Sequence, residues 1–76
     1  MTAAELHAII SAGLACEHLE VSGDGRHWEA LVVAREFEGR RLIQRHQLVY
    51  AALGDRMREE IHALSMKTLT PEEFQG

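Results

Sequence analysis

Apolar and polar positions change their period several times along the chain, and each change marks an element. Leu6, Ile9, Ile10 and Leu14 recur at helical spacing behind Thr2-Ala3-Ala4-Glu5, which has the form of a capping box. A first helix is therefore predicted, ending at or close to Gly13. The period then shortens. Leu19 and Val21 alternate with Glu20 and Ser22, the pattern of a half-buried strand, and Gly23-Asp24-Gly25 supplies a flexible turn. A return strand is predicted from about His27 to Ala34, containing Trp28, Leu31, Val32 and Val33. Phe37-Glu38-Gly39 leads into a second helix, about Arg40 to Leu53, which Gly54 is placed to stop. A short helix over about Asp55 to Glu60 and a third strand over about His62 to Leu69 follow. Thr70-Pro71-Glu72-Glu73 has the form of a cap and first turn of a final helix.

The predicted order α-β-β-α-α-β-α is that of an α+β two-layer sandwich, with helices packed on a three-stranded sheet. At 76 residues the chain is read as one domain, and a domain of this size buries only roughly 60% of its unfolded surface. A deep enclosed cleft is not expected. The formal net charge of −4 argues against a general nucleic-acid binder, while leaving room for a local basic patch. Cys16 is the one cysteine and cannot close an internal disulfide, which favours a reducing, cytoplasmic setting. No apolar run approaches the ~20 residues of a membrane span. The opening Met-Thr-Ala-Ala-Glu lacks the regions of a signal peptide.

Chemistry-bearing residues are few. His27 closes the turn Ser22-Gly23-Asp24-Gly25-Arg26-His27-Trp28, and His62 opens the last apolar segment. An imidazole is a good metal ligand, yet no self-sufficient four-ligand motif accompanies these two. By residue chemistry alone His27 reads as a solvated turn residue. His62 shares the parity of Leu64 and Met66 and reads as a buried histidine facing the helices. On the second helix, at roughly 100° per residue, Leu42, Val49 and Leu53 fall together, flanked by Ile43 and Tyr50. His46 lands in that sector as a neutral core histidine with a hydrogen-bonded ring nitrogen. Arg41 and Arg45 share a flank, and with Arg40 and Lys67 they are the candidates for phosphate contacts, against the alternative of a solvated face. An enzyme is not expected. A phosphate loop with its lysine, an HExxH pair and a nucleophile–base arrangement are all missing, and Cys16 with His18 does not make a dyad.

Five segments taken in order resemble the BolA-like family. They are Gly23-Asp24-Gly25-Arg26-His27-Trp28, Phe37-Glu38-Gly39, Gln44-Arg45-His46-Gln47-Leu48-Val49-Tyr50, Ile61-His62-Ala63-Leu64 and Thr70-Pro71-Glu72-Glu73-Phe74. The resemblance spans nearly the whole chain, read as a single BolA-like domain over residues 1–76. The histidine in the hairpin loop looks most like the IbaG-type branch; other members carry a cysteine there. The resemblance implies a fold similar to the class II KH fold, with a helix-turn-helix-like stretch at about Arg40 to Glu60. For function it implies a non-catalytic partner of a monothiol CGFS glutaredoxin, sharing a [2Fe-2S] cluster in iron–sulfur trafficking or iron regulation. The glutaredoxin and its glutathione would supply sulfur ligands, and His27 and His62 the nitrogen ligands. The alternative it implies is a DNA-binding transcriptional regulator acting in stress response, cell envelope or morphology, using Arg40, Arg41, Arg45 and Lys67. A homodimer is left open by the sequence. Phe74 stands where the family often has tryptophan, and Gln47 where many relatives have a basic residue, which weakens the local positive patch.

Overall fold

The computed structural model describes residues 1–60 and 63–76. Its elements are α1 (Ala3–Gly13), β1 (His18–Gly23), β2 (Trp28–Val33), a 3-10 turn (Arg35–Phe37), α2 (Leu42–Leu53), β3 (Leu64–Leu69) and α3 (Pro71–Gln75). The capping boxes form as their sequences require. Thr2 Oγ1 accepts from the Glu5 amide at 3.1 Å while the Thr2 amide donates to Glu5 Oε1 at 3.0 Å. Thr70 and Glu73 repeat the exchange at the start of α3, at 3.1 and 2.8 Å.

The strands lie in the order β1-β2-β3, with β1 antiparallel and β3 parallel to β2. A parallel neighbour requires a crossover, which the segment containing α2 supplies. The register pairs Val21 with Ala30 and Ala30 with Met66, and it sets Leu19, Val32 and Thr68 in another row. Leu19, Val21, Trp28, Ala30, Val32, Leu64 and Met66 accordingly meet the apolar row of α1, Leu6, Ile10 and Leu14. Val49, Leu53, Met57 and Phe37 close the same core. The opposite face carries His18, Glu20, Leu31 and Lys67, and Phe74 of α3 stacks on the His18 ring at 4.7 Å. The mixed α+β fold with a three-stranded sheet is as the sequence predicted. Among the described residues no helix is long and apolar enough to cross a membrane.

Two local expectations are corrected, and a third falls outside the described residues. The second helix begins at Leu42, not Arg40, because the Gln44 side chain takes the Arg41 amide at 2.9 Å and caps the helix there. The segment predicted as a short helix, Asp55 to Glu60, is instead a run of turns with i→i+3 bonds at Arg56, Arg58 and Glu60. The stretch lacks the capping box and N-terminal proline that start the equally short α3, and burial of Met57 anchors the turns. The predicted start of the third strand at His62 lies outside the described residues, and β3 is described from Leu64.

The inward face of α2 also differs from the predicted apolar sector. Val49 and Leu53 are buried, but Leu42 and Ile43 are 62% and 66% exposed, and Tyr50 40%. The helix instead turns Arg45 inward, its side chain only 13% exposed. The Arg45 guanidinium donates to Glu73 Oε1 at 2.7 Å and to the Thr68 carbonyl at 3.1 Å, and it lies over the Phe37 ring. One arginine therefore joins α2, β3 and α3. His46 is half-buried, and its Nε2 is buried without a hydrogen-bond partner among the described residues, so the bond expected there is not found at that atom. Its ring stands edge-on to Tyr50 at 6.4 Å.

Where α1 crosses α2, a Cβ on Gly13 would come within 2.8 Å of the Cα and Cβ of Ala52. Gly13→Val is expected to destabilise the fold by about 1–3 kcal/mol in urea denaturation, because overpacking against backbone outweighs the ~1 kcal/mol or less gained in helix propensity. Equal or greater stability would contradict the close crossing. The Arg45 hydrogen bond, with that of the Thr70 amide, holds the Glu73 carboxyl below its usual range. A depressed folded-state value contributes stability above the ordinary glutamate range, lost as pH falls through the folded value. Glu73→Gln should therefore lower stability near neutrality and flatten its fall in acid, measured as denaturation midpoint against pH.

Candidate ligand site at the hairpin turn

The β1–β2 turn is built from short-range chemistry. Asp24 Oδ1 accepts from the amides of Arg26 at 2.8 Å and His27 at 2.9 Å. The Asp24 amide donates to the His27 carbonyl at 3.2 Å. The two amide bonds to its carboxylate, that from His27 foremost, hold the Asp24 carboxyl below the usual carboxylate range. Gly25 takes a positive φ of 94°, which the turn requires and other residues resist. Gly23 serves a different purpose: a Cβ there would lie 2.5 Å from the His27 carbonyl and 2.6 Å from Trp28 Cδ1. The turn expected to rest on glycine flexibility is thus pinned from two sides. Trp28 anchors it in the core at 2% exposure, while His27 stays exposed.

The sheet decides what lies beside His27. Trp28 pairs with Leu64 across the parallel ladder, so the first residues of β2 and β3 are neighbours at one end of the sheet. His27 immediately precedes β2, and Ala63 immediately precedes β3. His62, the other expected ligand, lies outside the described residues. Cys16 belongs to the opposite end, because β1 starts there at His18, the partner of Val33. Its thiol donates to the Leu14 carbonyl at 3.3 Å, and burial, aided by the charge of Glu36, pushes its pKa up. Among the described residues no group of three or more His, Cys, Asp or Glu side chains could hold a metal ion.

The basic candidates are not brought into one surface. Arg40 and Arg41 are exposed at the start of α2, with Arg40 Nε donating to the Glu36 carbonyl at 2.9 Å. Arg45 is engaged in the joint with Glu73, and the adjoining concavity of about 350 Å³ is lined by Glu38, Glu72 and Glu73 as well. Lys67 projects from the sheet face away from α2, opposite Leu31. The residues the sequence reading passed over are Asp24 and Gly23 in their holding roles. The signal was present in Ser22-Gly23-Asp24-Gly25, since an aspartate that bonds the amides two and three residues ahead is a common turn device.

Comparison with known proteins agrees with this architecture. The model of the family described as BolA-like protein matches residues 4–73. Protein BOLA2 of Arabidopsis thaliana is 42% identical over 97% of this chain and 84% of its own length. Acid stress protein IbaG of Escherichia coli is 32% identical over 92% of this chain and 84% of its own. The DNA-binding transcriptional regulator BolA of Haemophilus influenzae is 34% identical over 78% of this chain and 57% of its own. A solved BolA homologue from Coxiella burnetii superposes with a TM-score of 0.83 at 43% identity, covering 100% of this chain and 99% of that one. In sequence and in three-dimensional arrangement alike, the chain belongs to the BolA-like family.

Proposed function

We propose that this BolA-like chain is a non-catalytic partner of a monothiol CGFS glutaredoxin, with which it shares a [2Fe-2S] cluster in iron–sulfur trafficking or iron regulation. The observation that carries the reading is the open His27 imidazole on a pinned turn, at the end of the sheet where β3 also begins. His27 and His62 are the two ligands proposed from this chain. The glutaredoxin cysteine and glutathione supply the thiolates that the chain itself lacks at this end. Imidazole in place of thiolate on one iron lowers the negative charge around such a cluster and raises its potential. The chain's own contribution is to hold a neutral nitrogen donor toward the partner.

A second reading, a DNA-binding regulator, is favoured by the name of the Haemophilus relative and by the exposed Arg40 and Arg41. It ranks below the first. The net charge is −4, Arg45 is spent on Glu73 and Thr68, and Lys67 projects from a different surface.

Mixed anaerobically with a CGFS glutaredoxin, glutathione, iron and sulfide, the protein is expected to give a coloured heterodimer, while alone it retains no cluster. His27→Ala and His62→Ala should each change the visible absorption and circular dichroism and speed cluster loss by at least about tenfold, the scale felt even on loss of an outer-shell partner. An unchanged spectrum removes that histidine from the site. For the second reading, duplex affinity should fall with salt at a slope of about −0.9 per phosphate neutralised and shallow on replacing Arg40 or Arg41 by Ala. Absence of binding at low salt would exclude it.

A further inference from the structure

Both main-chain polar groups of His27 are committed to one residue. Its amide donates to Asp24 Oδ1 at 2.9 Å, and its carbonyl accepts from the Asp24 amide at 3.2 Å. The preceding amide, that of Arg26, is held by the same oxygen at 2.8 Å. On the following side, the Trp28 indole is buried and packs into the space where a Gly23 side chain would stand. The backbone on each side of the His27 Cα is therefore tied, and the exposed imidazole keeps only its own two side-chain torsions. An exposed loop residue ordinarily loses backbone freedom when it becomes a ligand, and that cost weakens binding.

We propose that Asp24 is a positioning residue for the His27 imidazole. It fixes the direction in which the His27 side chain leaves the backbone before any partner arrives, so the backbone part of the ordering cost is met on folding rather than on assembly. The inference rests on the reading of His27 as a ligand. The part assigned to Asp24 is carried by Oδ1, which accepts both amides. What acts is the acceptor geometry, not the negative charge. Asparagine at this position keeps the acceptor and loses the charge, whereas glutamate keeps the charge and displaces the acceptor by one methylene.

Four variants test this: Asp24→Asn, Asp24→Ala, Asp24→Glu and Asp24→Ala combined with His27→Ala. In the metal-free protein, amide hydrogen exchange at Arg26 and His27 should accelerate in the alanine and glutamate variants and stay near wild type in the asparagine variant. Protection of the Val32 amide reports that each variant is folded. In the complex with a CGFS glutaredoxin, Asp24→Ala and Asp24→Glu should speed cluster loss by roughly tenfold, and Asp24→Asn by little. Adding Asp24→Ala to His27→Ala should have no further effect, because the residue acts through the ring. Equal damage from Asp24→Ala with or without His27 would show mere turn stabilisation and overturn the proposal, as would unchanged exchange at the two amides. If His27→Ala itself leaves the cluster untouched, the ligand reading falls and takes this role with it. If His27→Ala acts but Asp24→Ala does not, the positioning role alone is wrong.

Discussion

Parallel pairing of β2 with β3 governs both the core and the site. A hairpin partner can be reached through a tight turn, but a parallel partner demands a return across the sheet, so the chain between Val33 and Leu64 must climb over one face. That passage contains α2, which closes the layer begun by α1 and buries Val49 and Leu53 with Leu6 and Ile10. The same register sets Trp28 beside Leu64. Two segments far apart in sequence thereby start their strands side by side, with the His27 turn next to Ala63.

The orientation of α2 shows how a polar joint can outweigh a hydrophobic face. Leu42 and Ile43 lie exposed while Arg45 turns inward, against the apolar pattern. The reason is the set of acceptors waiting below, the Thr68 carbonyl at the end of β3 and the Glu73 carboxylate on α3. A guanidinium can bond several oxygens at once, which an apolar side chain cannot do. The short final helix is thus tied to the body by one long side chain and by the Phe74 stack on His18. The exposed apolar residues at the start of α2 follow from that rotation and sit at the opposite end of the sheet from His27.

The candidate site has the character of a half-site. Among the described residues His27 stays exposed, and the lone cysteine is bonded to Leu14 at the far end of β1. What this protein contributes is an exposed imidazole on a backbone that Asp24 and Gly23 keep still. A rigid frame with an open donor is the feature on which the proposed joint ligation with a glutaredoxin rests.

Local order was legible in the sequence. The Thr2–Glu5 and Thr70–Glu73 capping boxes, the alternation through β1, and the stop after Leu53 are all decided by neighbours within a few residues. Those signals marked the α+β class, whereas His27 and His62 stood out as a ligand pair only through the family resemblance. Local signals could not place Arg45 inward, because that outcome depends on Thr68 and Glu73, distant in the chain. Nor could they set His27 and Ala63 at one end of the sheet and Cys16 at the other. Periodicity records which face of an element is apolar, whereas the register between strands is a choice among non-local pairings that only the assembled core makes.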